Sequence, residues 1–123
     1  MRWIIDGMNV VGASPDGWWR DRHAAMVTLV DWLERWAAAE GEDVTVVFEQ
    51  PPRPPITSTV IEVVWANRPR PNSADDEIVR RLRLETDPGS VRVVTSDGVL
   101  AMQVHAAGAS TYPAAAFRGQ MER

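Results

Sequence analysis

Short β-branched or apolar runs alternate along this chain with stretches of helical spacing, and an acidic residue follows most of the runs. Trp3-Ile4-Ile5, Val44-Thr45-Val46-Val47-Phe48, residues 59–65 and Val91-Arg92-Val93-Val94 read as strands. Asp6-Gly7-Met8-Asn9 reads as the turn after the first of them, and Ser14-Pro15-Asp16-Gly17 is further turn chemistry. Met26, Leu29, Val30, Leu33, Trp36 and Ala37 then recur at helical spacing, giving a helix of about four turns that Gly41 closes. Pro51-Pro52-Arg53-Pro54-Pro55 cannot join a ladder and is expected to be a stiff extended connection. Residues 67–72, rich in arginine and proline, read as a loop. Ser73-Ala74-Asp75-Asp76 has the character of a capping box and opens a helix through Ile78, Val79 and Leu82. Another helix runs through Leu100 and Val104 to Gly108, residues 109–112 make a fifth strand, and Pro113 starts a short helix ending near Phe117. The residues beyond it are expected to fray.

Strands alternating with helices specify the α/β class: a mainly parallel sheet of about five strands, helices on both faces, three layers in all. The 123 residues suit a single domain over 1–123. In such a sheet, ligands bind outside the carboxyl ends of the strands, near the point where strand order reverses. Asp6, Glu49 and Asp97 each follow a β-rich run directly or within two residues, and Asp75 opens a helix after another strand, so all four are expected to converge at that edge. Crowded carboxylates repel one another and favour protonation unless a cation intervenes.

Composition narrows which cation that is. The sequence has no cysteine, so thiolate zinc sites and disulfides are excluded and oxygen ligands remain, which favours Mg2+ or Mn2+. It also has no lysine, which removes Walker-type phosphate binding, Schiff-base catalysis and the lysine that phosphoaspartate enzymes and receiver domains need. The net charge of −4 speaks against coating nucleic acid by bulk electrostatics, so a nucleic-acid site would be local. No apolar run is long enough to cross a bilayer, and an acid at position 6 without a signal-length apolar stretch leaves the cytoplasm as the expected location.

Helical register separates the neighbouring acids. Asp75 lies in register with Ile78, Val79 and Leu82 and is expected to face the sheet, whereas Asp76 shares its face with Arg80 and Arg83, where capping or surface pairing suffices. Asn9, near Asp6, can orient a water or a phosphate oxygen. Ser96 can cap the following helix or hydrogen-bond a metal ligand.

These residues carry a resemblance. Ile4-Ile5-Asp6-Gly7-Met8-Asn9, Val46-Val47-Phe48-Glu49, Ser73-Ala74-Asp75-Asp76 and Val94-Thr95-Ser96-Asp97 resemble, in order, the motifs of NYN domains of the PIN-like nuclease superfamily, particularly the YacP-like branch. The resemblance implies a metal-dependent endoribonuclease with Asp6, Asp75 and Asp97 as metal-binding acids. Asn9 and Ser96 would support them, and Glu49 and Asp76 are further candidate ligands. It also implies hydrolysis that leaves a 5′-phosphate and a 3′-hydroxyl. Glu49 stands where that branch usually has aspartate, and the chain is shorter than typical relatives.

For the RNA itself, Arg53, Arg68, Arg70, Arg80 and Arg81 are candidate phosphate contacts, and Trp18 and Trp19 are candidate stacking platforms for unpaired bases. Trp32, Trp36 and Trp65 read as packing residues, and His23 and His105, lying within helix patterns, as structural or surface residues. The expected partner is RNA, single-stranded or ribosome-associated. The rival readings are a catalytically inactive PIN-like protein that binds RNA or associates with ribosomes, and a protein-interaction module built on exposed tryptophans.

Overall fold

The runs read as strands pair along one sheet in a computed structural model of the protein, which describes residues 1–66 and 73–123. The strands are β1 (Arg2–Asp6), β2 (Asp43–Phe48), β3 (Glu62–Trp65), β4 (Val91–Val94) and β5 (Ser110–Tyr112). They lie in the order β3-β2-β1-β4-β5, and every pairing is parallel. The described helices are α1 (Gly7–Val11), α2 (Arg22–Glu40), α3 (Ser73–Leu84), α4 (Gly98–Ala106) and α5 (Ala114–Met121). Strand order reverses at β1, with β2 on one side and β4 on the other. Among the described residues no helix is long and apolar enough to cross a membrane.

The period-2 alternation of the strands divides the core in two. Trp3, Ile5, Val44, Val46 and Phe48 meet Val10 and Val11 of α1, Leu29 and Leu33 of α2, and Phe117 of α5. Ile4, Val47, Val91 and Val93 face the other way, onto Ile78 and Leu82 of α3 and Leu100 and Val104 of α4. The expected three layers are therefore present. On the first face Trp3, Trp32, Trp36 and Phe117 form an aromatic cluster, with Trp3 edge-on to Trp36 at 5.2 Å and Trp32 stacked on Trp36 at 5.7 Å. Trp65 departs from its expected packing role: it ends the edge strand β3 and is 42 % exposed.

Several boundaries differ from the sequence reading. Residues 7–11, expected to be a turn, form the short helix α1, because burying Val10 and Val11 against α2 and α5 outweighs a segment too short to show periodicity. The helix α2 is a turn longer than expected, since Asp21 caps it by accepting from Ala24 N at 3.0 Å, and Gly41 closes it at φ 66°. Residues 59–61 do not join β3. The Ser58 hydroxyl accepts from Val60 N and Ile61 N and donates to Glu34, which holds that segment as a turn. The C-terminal helix runs to Met121 instead of fraying, because Arg118 pairs with Asp16 and Glu122, and Gln120 donates to the Tyr112 hydroxyl at 2.8 Å. Residues 67–72, with Arg68 and Arg70, lie outside the described residues.

Glycine at position 7 is a packing requirement. A Cβ there would stand 2.6 Å from Phe48 Cε1 and 2.7 Å from its Cδ1, and the Phe48 ring is completely buried, so it has little room to give. Gly7→Ala should therefore destabilise the protein by about 1–3 kcal/mol in urea denaturation, and Phe48→Leu in the same chain should recover part of that loss relative to additivity. Strict additivity of the two changes would show that the contact is not the cause.

Candidate active site

The sheet ends in acid. Asp6 is the last residue of β1 and is only 6 % exposed. A buried carboxylate needs partners, and the first is Thr95, just past β4, whose hydroxyl donates to Asp6 Oδ2 at 2.9 Å. The same hydroxyl oxygen accepts from Asp97 N at 3.1 Å. One side chain thus holds Asp6 and shapes the turn that presents Asp97. Asp97 in turn caps α4, its Oδ1 accepting from Leu100 N at 3.0 Å.

Further ties bring the other elements to this edge. Asn9 on α1 accepts from Ser96 N at 2.8 Å, linking the ends of β1 and β4. The Ser96 hydroxyl accepts from Ala114 N at 2.9 Å. Ser96 therefore anchors the start of α5, whereas the sequence reading offered it a cap on α4, which Asp97 supplies instead. Ser73, expected as a helix cap, is buried and donates its hydroxyl to the Glu49 carbonyl at 3.0 Å. That bond seats the first turn of α3 beside the end of β2. Asp75 is half-buried there, and Asp76, next to it, is exposed on the same first turn.

Asp6, Asn9, Glu49, Asp75 and Asp97 line one cleft of about 220 Å³, together with Met8, Trp18 and Arg22. Four acids expected from sequence to converge do so. Their electrostatics follow from crowding. Burial pushes the Asp6 carboxyl up from 3.8 to about 7; the Thr95 hydrogen bond works against this, and the Asp75, Asp97 and Glu49 charges add to the rise. Burial likewise raises Asp75 to about 6, reinforced by Asp97, Asp76 and Glu49. At neutral pH a proton and any divalent cation would therefore compete for the same oxygens.

The donor set is all oxygen, which fits a hard divalent cation. Among the described residues no three His, Asp or Glu side chains stand together as a ready-made metal shell.

The remaining candidates divide. Trp18 is half-buried, packed on the core while also lining the cleft. Trp19 lies edge-on to it at 6.2 Å and is 52 % exposed. Arg53 is exposed on the wall of an adjacent cleft. Arg80 grips Glu77 with two hydrogen bonds of 3.0 and 2.6 Å, and Arg81 bonds both Glu77 and Glu62. Those guanidiniums hold α3 to itself and to β3, which draws them away from the phosphate role expected of them. Glu77, buried and held below the usual carboxylate range by Arg80 first, was not anticipated. His23 bonds the Pro54 carbonyl at 2.8 Å and His105 the Thr111 hydroxyl at 3.2 Å, and neither lines the acidic cleft.

Two residues of the site escaped the sequence reading. Thr95 sits inside the Thr95-Ser96-Asp97 run, but nothing local shows that its hydroxyl reaches position 6. Arg22 follows the Asp21 cap and lies with its guanidinium 5.3 Å from the centre of the Trp18 ring, at the cleft wall.

With this geometry in view, the sequence matches the family model of the YacP-like NYN domain over residues 3–123. The fold is similar to the crystal structure of Rae1 (YacP) from Bacillus subtilis, with a TM-score of 0.82 at 22 % identity over 99 % of this chain and 74 % of that one. A point mutant of the same protein gives a TM-score of 0.79, again at 22 % identity, over 99 % of this chain and 77 % of that one. Among curated proteins no sequence matches.

Because the folded pKa of Asp6, about 7, lies above its ordinary 3.8, the unfolded chain releases the proton first as pH rises. Stability from this group is fully present below about pH 4 and is lost as pH climbs through about 7. With chelator present, Asp6→Asn should melt roughly 3 °C or more above the wild type at pH 8, and the gap should close toward pH 4. Added Mn2+ should raise the wild-type melting temperature at pH 8 and leave Asp6→Asn nearly unmoved. Parallel pH profiles for the two proteins would contradict a buried, shifted Asp6.

Proposed function

The chain belongs to the YacP-like NYN family of PIN-like nucleases, and on that premise we propose that it is a metal-dependent endoribonuclease that hydrolyses RNA phosphodiester bonds. The observation that carries this reading is the burial of Asp6 at the end of the central strand, in one cleft with Glu49, Asp75 and Asp97. Burying and crowding carboxylates costs stability, and the raised Asp6 and Asp75 pKa values express that cost. A site that retains such a cost suits cation binding better than scaffolding.

Asp6, Asp75 and Asp97 would hold Mg2+ or Mn2+, with Glu49 as a fourth acid and Asp76 tuning Asp75 from outside. When bound, the ion supplies charge neutralisation at the phosphate and a water of lowered pKa. The chain's own groups do the rest. Thr95 fixes the Asp6 carboxylate through its hydroxyl. The Asn9 carbonyl oxygen is taken by Ser96 N, which turns its amide donors into the groups available to a phosphate oxygen or a water. Arg22 brings a guanidinium to the cleft wall for a backbone phosphate, and the Trp18 ring beside it offers a face to an unpaired base. Arg53 and Trp19 extend the RNA path, as would Arg68 and Arg70. Single-stranded RNA is the substrate class that stacking on Trp18 and Trp19 favours.

Cleavage of single-stranded RNA should require Mn2+ or Mg2+ and stop with chelator. Asp6→Asn should lower kcat/KM by more than about 100-fold. Thr95→Val, which removes only the hydroxyl that orients Asp6, should fall by about 10–100-fold, as changes just outside a metal shell do. Equal cleavage by wild type and Asp6→Asn with and without chelator would remove the metal reading. A folded wild type that binds RNA and cuts none of it with either metal would put an inactive RNA-binding protein in its place.

A further inference from the structure

Beside the acidic cleft opens a second cavity of about 240 Å³. It shares Met8, Arg22 and Glu49 with the first, so a strand laid across the carboxylates passes its mouth. Its volume is below the roughly 300–1,000 Å³ of pockets for drug-sized molecules, which limits it to one ring system. The floor is apolar: Met26 and Phe48 are buried core residues, and Met8 packs against the same core. Thioethers and an aromatic edge make a soft surface for a flat ring.

The walls are polar where they meet solvent. Gln50 and Arg53 are both exposed at this cavity, the first with a donor and an acceptor on one amide. His23, bonded to the Pro54 carbonyl, ties α2 to the proline-rich segment that forms the outer wall. Prolines at 51, 52, 54 and 55 restrict that segment, so the wall loses little freedom when something binds. Arg22 and Arg53 both line the cavity and, against the one acid Glu49, give it positive charge in a protein whose net charge is −4. That combination of flat apolar floor, amide rim and flanking guanidiniums matches an unstacked nucleobase with its neighbouring phosphates.

We infer that this cavity is a nucleobase subsite, receiving one base next to the bond cut in the acidic cleft and selecting among bases through Gln50. The inference rests on the nuclease reading for its register, while base binding as such does not.

The test sequences the new ends made when the wild type with Mn2+ cuts single-stranded RNA carrying a randomised stretch, and in parallel the RNA retained by Asp6→Asn from the same pool. Gln50→Trp, which fills the mouth from an exposed position, and Arg53→Ala are compared in both backgrounds. The expected result is a base preference of about tenfold at one position beside the cut, present also in the retained pool, falling below about twofold with Gln50→Trp and weakened with Arg53→Ala. Cleavage whose base preference is unchanged by both substitutions overturns the subsite and leaves the nuclease standing. A retained pool with a Gln50-dependent preference but no cleavage upholds the subsite and overturns the nuclease. No cleavage and no preference overturns both.

Discussion

A carboxylate buried at the end of the central strand is an expensive thing for a small domain to keep, and much of this structure arranges itself around Asp6. The strand brings it there because Trp3, Ile4 and Ile5 are core residues on alternating faces and the next position must also be interior. Once there, it has one neutral hydrogen-bond donor in Thr95 and three acidic neighbours whose charges raise its pKa. Burial outweighs the hydrogen bond, which is why the group sits near 7 instead of near 4. An oxygen-rich site with a deficit of positive charge is what a hydrated divalent cation completes.

The edge that holds Asp6 is assembled by bonds between residues distant in sequence. Asn9 joins Ser96, Ser96 joins Ala114 and Ser73 joins the Glu49 carbonyl, so α1, β4, α5, α3 and β2 are referenced to one another at the carboxyl end of the sheet. These are single hydrogen bonds, each of modest net worth in stability. Their larger effect is positional: displacement of any one element moves an acid. The close approach of Gly7 to Phe48 belongs to the same system, since it sets how α1 leaves β1 and hence where Asn9 points.

Electrostatics at this edge are local. The cleft is lined by four acids together with Arg22, whose guanidinium lies over the Trp18 ring, and Arg53 lines the adjoining cavity. An acidic protein can approach RNA in this manner if the phosphates meet guanidiniums at the rim and the cation at the base. Arginines on α3 behave differently. Arg80 and Arg81 are spent on Glu77 and Glu62, and the network continues from Glu62 through Thr45 to Arg2. Their work is to seat α3 against the sheet, which is what brings Asp75 to the cleft.

The α/β class, the parallel sheet and the convergence of Asp6, Glu49, Asp75 and Asp97 were legible in the sequence, because hydrophobic period is a local property and the acids mark where each period breaks. The register that turns Asp75 inward and leaves Asp76 exposed was legible for the same reason. Local pattern failed where segments were short or their partners remote. Residues 7–11 span too few turns to show a period, Ser58 diverts residues 59–61 by bonds to its own neighbours, and Arg118 extends the last helix through a residue about a hundred positions away. The roles of Thr95, Ser96 and Arg22 belong to the same category. A side chain's chemistry is written in the sequence, but whether a hydroxyl serves a carboxylate or a helix end depends on which strands become neighbours. Only the packing of the whole chain decides that.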